Sequence, residues 1–411
     1  MKIIHVIAGK PQVIYLTELY NALKSIGVDN KIYCFSDTVN VFGHYDTSHI
    51  KNVDFSQEVF DELNSCDYIF YNDLPMADYP KRKEFADMVI DKITTKQILF
   101  NNIHSYRAAV KYYGDLLKNE EFMKSFDKYV TFSKNNLVYK KYCQVVGEDY
   151  ADSRYVHMLH PYKFDDEHKL WKDFDFKKKR ITYLGRPAKF KDPCRLIKMN
   201  INGVADAGYE CEMRGILMTI GCTGLWNLRF KFDENDKPTK EISPYTFFPS
   251  VTWRQEHGLD KKDPLIDYPR IDKKVWVFGP YSHDEGMSAI SNSMFGADFY
   301  GFDEDVYGDQ IEYVFFEMVD AGVIPIFDKH CGECCHTYIN GESTGKSFAE
   351  LETGLFVDKN CDNIGEVLIK MNKYSSDKDF YESERKRIYD LFKKHTDPQA
   401  IANNLLEELK K

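Results

Sequence analysis

Short apolar runs alternate along this chain with stretches whose apolar residues recur every three or four positions. The first run, Ile3 to Ala8, reads as a buried strand and ends at Gly9-Lys10-Pro11. A helical pattern follows from about Val13 to Ile26, closed by Gly27, and Lys31 to Phe35 supplies the next strand. Asp67 to Tyr71, Gln97 to Phe100 and Tyr129 to Ser133 repeat the strand signature. Through residues 157–180 the period is lost in a segment rich in charge and aromatics, which places an interdomain linker there. Ile181 to Leu184 then opens a second series, continued at Cys211 to Ile216 and Val275 to Phe278, while residues 217–270 show no clear period and read as an insertion. From Phe380 onward the chain reads as two charged amphipathic helices broken near Thr396-Asp397-Pro398. Strands alternating with helices predict the α/β class. The expected units are residues 1–165, residues 176–385, and C-terminal helices over 386–411 that pack back toward the first unit.

The sharpest pattern lies between Asp303 and Phe327. Ile311, Val314, Phe315, Met318 and Val319 mark one buried helix face, Ala321-Gly322 stops the helix, and Val323 to Phe327 follows as a buried parallel strand. This helix carries the carboxylates Asp309, Glu312 and Glu317. Eight positions are a little over two turns, so a helix through Asp309 turns it and Glu317 to roughly the same side. Carboxylates so placed are suited to accepting hydrogen bonds from sugar hydroxyls, and Asp309 is, with His104, a candidate catalytic residue. A solvated acidic helix face is the alternative.

Composition narrows the class. At 411 residues, 43% hydrophobic and 15% aromatic, the chain is long enough for two cores, and disorder is excluded. A net charge of −10 excludes nucleic-acid binding through overall charge, so a nucleic-acid substrate requires a local basic groove. Ten cysteines without a small-domain disulfide framework fit a reducing compartment, and no run is long and apolar enough to span a membrane.

Candidate chemistry sits where strands end. The Gly9 turn, with Lys10, brings backbone N–H groups to the end of the first strand but lacks G-x-G-x-x-G. Asn102 and His104 follow the Gln97 strand, where open α/β sheets place ligands; His104 is a candidate acceptor-side hydrogen bonder or proton shuttle. Lys134, Lys140 and Lys141 are candidate phosphate-backbone contacts, and the run Lys177 to Arg180 reads equally as such a contact or as a solvated linker edge. Ser343 to Ser347 has the wrong glycine spacing for a phosphate loop. The His330 to His336 segment has metal-ligand residue types but no second half, so no metal is expected.

With Gly185-Arg186, Lys191 and Glu317 in this order, the C-terminal half resembles the donor domain of retaining glycosyltransferases of the GT-B fold. The order YVTFS, YLGRPAKFKD, EMRGI, the Tyr281 loop, SNSMFG, EYVFFEMVDAGVIPIF and FYESERKRIYDLFKKHTD more closely resembles the DNA α-glucosyltransferases of T-even bacteriophages. The resemblance implies two Rossmann-like domains facing a central cleft. It also implies a UDP-sugar donor (UDP-glucose or UDP-arabinose), and duplex DNA containing 5-hydroxymethylcytosine as acceptor. By the same resemblance Arg186 and Lys191 would bind the diphosphate, with Arg214 as an extra cation. Glu317 would take the ribose, Tyr281 would lie near the uracil, and Glu312 would support the helix. Catalysis without an enzyme nucleophile, base flipping, a monomer, and residence in the host cytoplasm complete the expectation. One departure stands out: the family's His-Asp-His cluster is Asn102-Ile103-His104 here. A GT-B enzyme acting on a glycan or small molecule, or a non-catalytic sugar-nucleotide or DNA-binding relative, is the alternative.

Overall fold

The computed structural model describes residues 1–8, 13–35, 48–72, 74–75, 77, 79–101, 114–134, 137–184, 192, 194–214, 230–232, 238–242, 248–249, 275–277, 282–299 and 311–411. Each apolar run of the first half becomes a parallel strand. The elements are β1 (Lys2–Ile7), α1 (Val13–Ser25), β2 (Asp29–Cys34), β3 (Ile50–Asn52), α2 (Gln57–Asn64), β4 (Tyr68–Asn72), α3 (Arg82–Asp87), β5 (Lys96–Asn101), α4 (Glu120–Lys124), β6 (Lys128–Thr131), α5 (Leu137–Val146), α6 (Glu148–Ser153) and β7 (Tyr155–His157). They form a seven-stranded sheet in the order β3-β2-β1-β4-β5-β6-β7, with Ile4 opposite both Lys31 and Ile69. Strand order reverses between β1 and β4, which opens a crevice at their carboxyl ends.

The second half repeats this plan. It contains β8 (Lys178–Leu184), α7 (Cys194–Met199), β9 (Glu210–Arg214), β10 (Phe230–Phe232), β11 (Pro238–Ile242), β12 (Phe248–Pro249), β13 (Val275–Val277), α8 (His283–Ser291), β14 (Ser293–Ala297), α9 (Tyr313–Asp320), β15 (Ile324–Asp328), α10 (Lys329–Cys334), β16 (His336–Ile339), β17 (Glu342–Ser347), β18 (Leu355–Val357), α11 (Ile364–Ser376), α12 (Lys378–His395) and α13 (Pro398–Lys410). Its seven-stranded sheet runs β12-β13-β9-β8-β14-β15-β18, and its order reverses between β8 and β14. The expected insertion contributes the antiparallel pair β10–β11 and the edge strand β12.

The joint from α9 to β15 corrects one expectation. The helix begins at Tyr313 rather than Asp309, because Glu312 has extended backbone angles (φ −80°, ψ 155°) at the N-cap. Ile311 is buried but precedes the helix, at the position where an apolar residue staples a helix start. Asp309 lies outside the described residues. The stop is as expected: Ala321 caps the helix, and Gly322 turns the chain at φ 68°, where a β-carbon would meet the Trp171 ring at 2.8 Å.

The segment between the sheets is irregular yet pinned. Asp320, at the end of α9, accepts hydrogen bonds from the Tyr162 hydroxyl (3.1 Å) and the Asp165 N–H (2.9 Å). Its main-chain carbonyl accepts from the Trp171 indole at 2.9 Å. At the other end of α9, the Tyr313 hydroxyl donates to the Pro161 carbonyl at 3.0 Å. The C-terminal helices divide between the two cores. Ile388, Tyr389 and Phe392 of α12 join the second core, and Ile401, Leu405 and Leu409 of α13 pack beside Leu19 and Leu23 of α1. Asp397 and Pro398 separate them, with Asp397 capping α13 through the Ala400 N–H at 2.7 Å.

Candidate active site

At the second switch point lie the carboxyl ends of β8, β14 and β15, and charged side chains from neighbouring elements gather beside them. Arg195, on α7, is fully buried. Its Nε donates to Asp192 at 2.9 Å, Nη1 donates to Asp328 and to the Val357 carbonyl (3.3 Å), and its guanidinium lies 5.1 Å from the Phe299 ring centroid. Burial opposes a charge there, but Asp328 and Asp192 outweigh it and hold the guanidinium pKa above its ordinary value. Arg195 thereby ties the segment after β8, at Asp192, to the end of β15. The adjoining residues Gly185, Arg186 and Lys191 lie outside the described residues.

Arg214 is opposite Leu184, the last residue of β8, in the β8–β9 register. Its Nε bonds the buried Glu212 carboxylate, which also holds Arg180 Nη1 at 2.6 Å; Arg180 reaches on to Glu210 at 2.6 Å. A cation at the mouth of the crevice is thus braced by a buried carboxylate and a second arginine. This ladder takes Arg180, and burial takes Lys177, out of the run Lys177 to Arg180 as phosphate contacts, while Lys178 and Lys179 stay exposed. Arg180 is committed to Glu210 and Glu212. Lys177 is buried, donating to the carbonyls of Ser291 (2.9 Å) and Ser293 (3.2 Å), and burial pushes its pKa down to about 7.

Glu317 reaches the same edge from α9, with its side chain 16% exposed. Facing it is His283, a residue that no sequence pattern singled out. Ser282 caps α8 by accepting from the Glu285 N–H, and the Glu285 carboxylate returns to the Ser282 N–H at 2.7 Å. This capping box fixes His283 in the first turn, where its Nε2 lies 3.3 Å from Glu317 Oε1. The hydrogen bond to Glu317 leads the causes that raise the imidazole pKa, against burial. Glu312 occupies the N-cap of α9 but its side chain makes no capping hydrogen bond, so the helix support expected of it does not come from capping.

The first switch point is chemically different. Asn72 ends β4, donates to the Phe70 carbonyl at 3.0 Å, and lies 3.4 Å from His5 Nδ1. His5 is fully buried, and burial pushes its pKa down to about 3, so the ring is neutral. Gly9, Lys10, Asn102 and His104 lie outside the described residues, as does Tyr281 on the donor side. Of the basic candidates, Lys134 donates to Asp152 Oδ2 at 2.7 Å and lies over the Tyr155 ring, while Lys141 reaches Gln144 at 3.1 Å. Lys140 is exposed.

Two further segments named above have defined geometry. Ser343 to Ser347 is strand β17 of a hairpin with β16, not a strand-to-helix loop. Cys331 and Cys335 are buried with their sulfurs 3.5 Å apart, and among the described residues no group of three or more His, Cys, Asp or Glu is arranged to hold a metal. Among them, too, no helix is long and apolar enough to cross a membrane.

No model of a known protein family matches the sequence, and no curated protein matches it. Solved structures do. An alpha-glucosyltransferase in complex with UDP-glucose and DNA containing an abasic site superposes with a TM-score of 0.77 at 16% identity, over 100% of this chain and 99% of that one. An alpha-glucosyltransferase in complex with UDP and a 13-mer DNA containing an HMU base gives 0.75 at 16%, over 100% of both chains. The Anabaena protein HepE in complex with UDP-glucose gives 0.55 at 11%, over 100% and 99%. The likeness is one of fold. The chain has the GT-B glycosyltransferase fold, and its architecture resembles that of T4 alpha-glucosyltransferase from end to end.

Proposed function

We propose that this protein is a UDP-sugar-dependent glycosyltransferase that modifies DNA, moving glucose or a pentose such as arabinose onto the hydroxymethyl group of 5-hydroxymethylcytosine. The observation that carries this reading is the full-length likeness to structures holding a UDP-sugar or UDP together with DNA. A charged donor-side crevice at the second switch point agrees with it. There Arg186, Lys191 and Arg214 would meet the diphosphate, whose negative charge grows as the sugar departs, and Glu317 would meet the ribose. Tyr281 would lie near the uracil, and Asp309 and Glu312 on the sugar side.

Gly9, Lys10, Asn102 and His104 would line the acceptor side, with His104 placed to hold or relay the hydroxymethyl proton. Reaching a base in a duplex requires flipping it out at a cost of a few kcal/mol. Attack on the face from which UDP leaves retains configuration and needs no enzyme nucleophile. We place the acceptor unit at residues 1–165 and the donor unit at 176–385. The HepE likeness favours, as a second reading, transfer from a UDP-sugar to a glycan or small molecule. The deciding measurement is nucleoside mass spectrometry of 5-hydroxymethylcytosine DNA after incubation with a panel of UDP-sugars. A hexose or pentose mass on the base is expected. Donor binding with no mass added by any donor would shift the acceptor to a glycan or small molecule.

A further inference from the structure

Glu317 Oε2 makes no hydrogen bond or ion pair among the described residues, whereas Oε1 is engaged by His283 Nε2 at 3.3 Å. The two groups come from different helices, and each is rigidly mounted. His283 sits in a first turn fixed by the Ser282–Glu285 capping box, and Met287 and Ile290 of the same helix are buried in the core. Glu317 lies between the buried residues Phe316 and Met318, on a helix tied to the linker at Tyr313 and Asp320. A ribose presents two adjacent hydroxyls, and a carboxylate receives them in bidentate fashion only when its plane is fixed. Left alone, a glutamate side chain samples several rotamers and loses that freedom on binding.

We propose that His283 is a positioning residue for the donor, holding the Glu317 carboxylate in the orientation that receives the ribose diol. The proposal rests on the donor-site reading above. In this role His283 acts through Glu317, so its effect falls on donor affinity rather than on the chemical step. The described charged groups around it are Glu317 on α9, Asp284 on its own helix (Nδ1 to Oδ1, 3.8 Å), and Arg214 on β9, which acts on the neighbouring Glu285. Glu317 raises the imidazole pKa, so the charged contact is complete below the ordinary histidine range. It is lost as pH rises through the raised value.

The test measures UDP and 2′-deoxy-UDP binding by calorimetry on the full chain, with His283→Ala and His283→Gln compared against the unaltered protein across pH 6–9. His283→Ala should weaken UDP binding about tenfold, the loss of one charge-assisted hydrogen bond's worth of orientation. It should raise the donor KM in parallel, change kcat little, and flatten the pH dependence. His283→Gln keeps a side-chain N–H and should recover most of the affinity with a flat pH profile. With 2′-deoxy-UDP the alanine penalty should shrink, because part of the diol is missing. Wild-type UDP affinity in His283→Ala, or an equal penalty for both nucleotides, overturns the positioning role. If the unaltered protein binds neither UDP nor any UDP-sugar, it is the donor-site reading itself that fails. Circular dichroism of both variants separates loss of binding from loss of fold.

Discussion

Among the described residues at the switch point of the first sheet, His5 is buried and neutral and touches the amide of Asn72. At the corresponding place in the second sheet, Arg195 is clasped by Asp192 and Asp328, Arg214 and Arg180 share Glu212, and His283 meets Glu317. Both sheets are doubly wound with the same reversal of order. Topology therefore fixes where a ligand lies, and the side chains at the strand ends decide what it is. Under the proposed function the second crevice would take a diphosphate, which needs cations in place before the ligand arrives, and the first would take an extruded base.

The comparison breaks most readily at Arg195. Replacing it with Met leaves Asp192 and Asp328 without their shared cation in a buried site, an expected loss of about 3–5 kcal/mol in urea unfolding. Asn72→Leu at the first switch point removes one amide donor whose Oδ1 has no hydrogen-bond partner among the described residues, and should cost about 1 kcal/mol. Equal losses would mean that the charged and neutral switch points do not differ in how they are held together.

Acid sharpens the contrast. His5 has a folded-state pKa far below its unfolded value, so the unfolded chain binds the extra proton between about pH 6.5 and pH 3. The stability it contributes is complete above that window and falls with pH by about 1.4 kcal/mol per unit inside it. Glu18 and Asp320, raised to about 7 and about 6 chiefly by burial, act in the opposite sense, so the informative quantity is a difference. His5→Gln should lose less stability between pH 7 and pH 5 than the unaltered chain, by about 2 kcal/mol. Parallel losses would place the imidazole outside the acid response.

These examples also mark what the residues disclosed without coordinates. Strands were legible because buried parallel strands are apolar runs, and the stops at Gly322 and at Asp397-Pro398 were legible because backbone chemistry is local. Arg195, His283 and Lys177 were not, since their partners lie far along the chain: Asp328, Glu317 and Ser293. The run Lys177 to Arg180 looked like one basic patch. Folding splits it, with Lys178 and Lys179 exposed while Lys177 turns inward and Arg180 pairs across to β9. The linker misled for a related reason. Its lost period reads as looseness, yet Tyr162, Asp165 and Trp171 all anchor to Asp320, a buried acid that no local pattern announces.

The smallest expected effect concerns the lysines of the first unit, and it depends on the DNA reading. Lys140 is exposed, whereas Lys134 is held by Asp152, which also accepts the Tyr139 hydroxyl at 2.6 Å. A lysine that already has a carboxylate partner releases less from the counterion atmosphere of DNA than a solvated one, because contacting a phosphate means sharing or leaving that partner. If both approach the backbone, Lys140→Ala should lower the slope of log affinity against log salt by about 0.9, and Lys134→Ala by less. Asp152→Asn keeps an acceptor for Tyr139 while removing the charge that restrains Lys134. It should steepen the slope and tighten DNA binding a few-fold at low salt. Unchanged salt slopes in all three variants would remove this face from the DNA path and leave the acceptor duplex to be held at the first switch point alone.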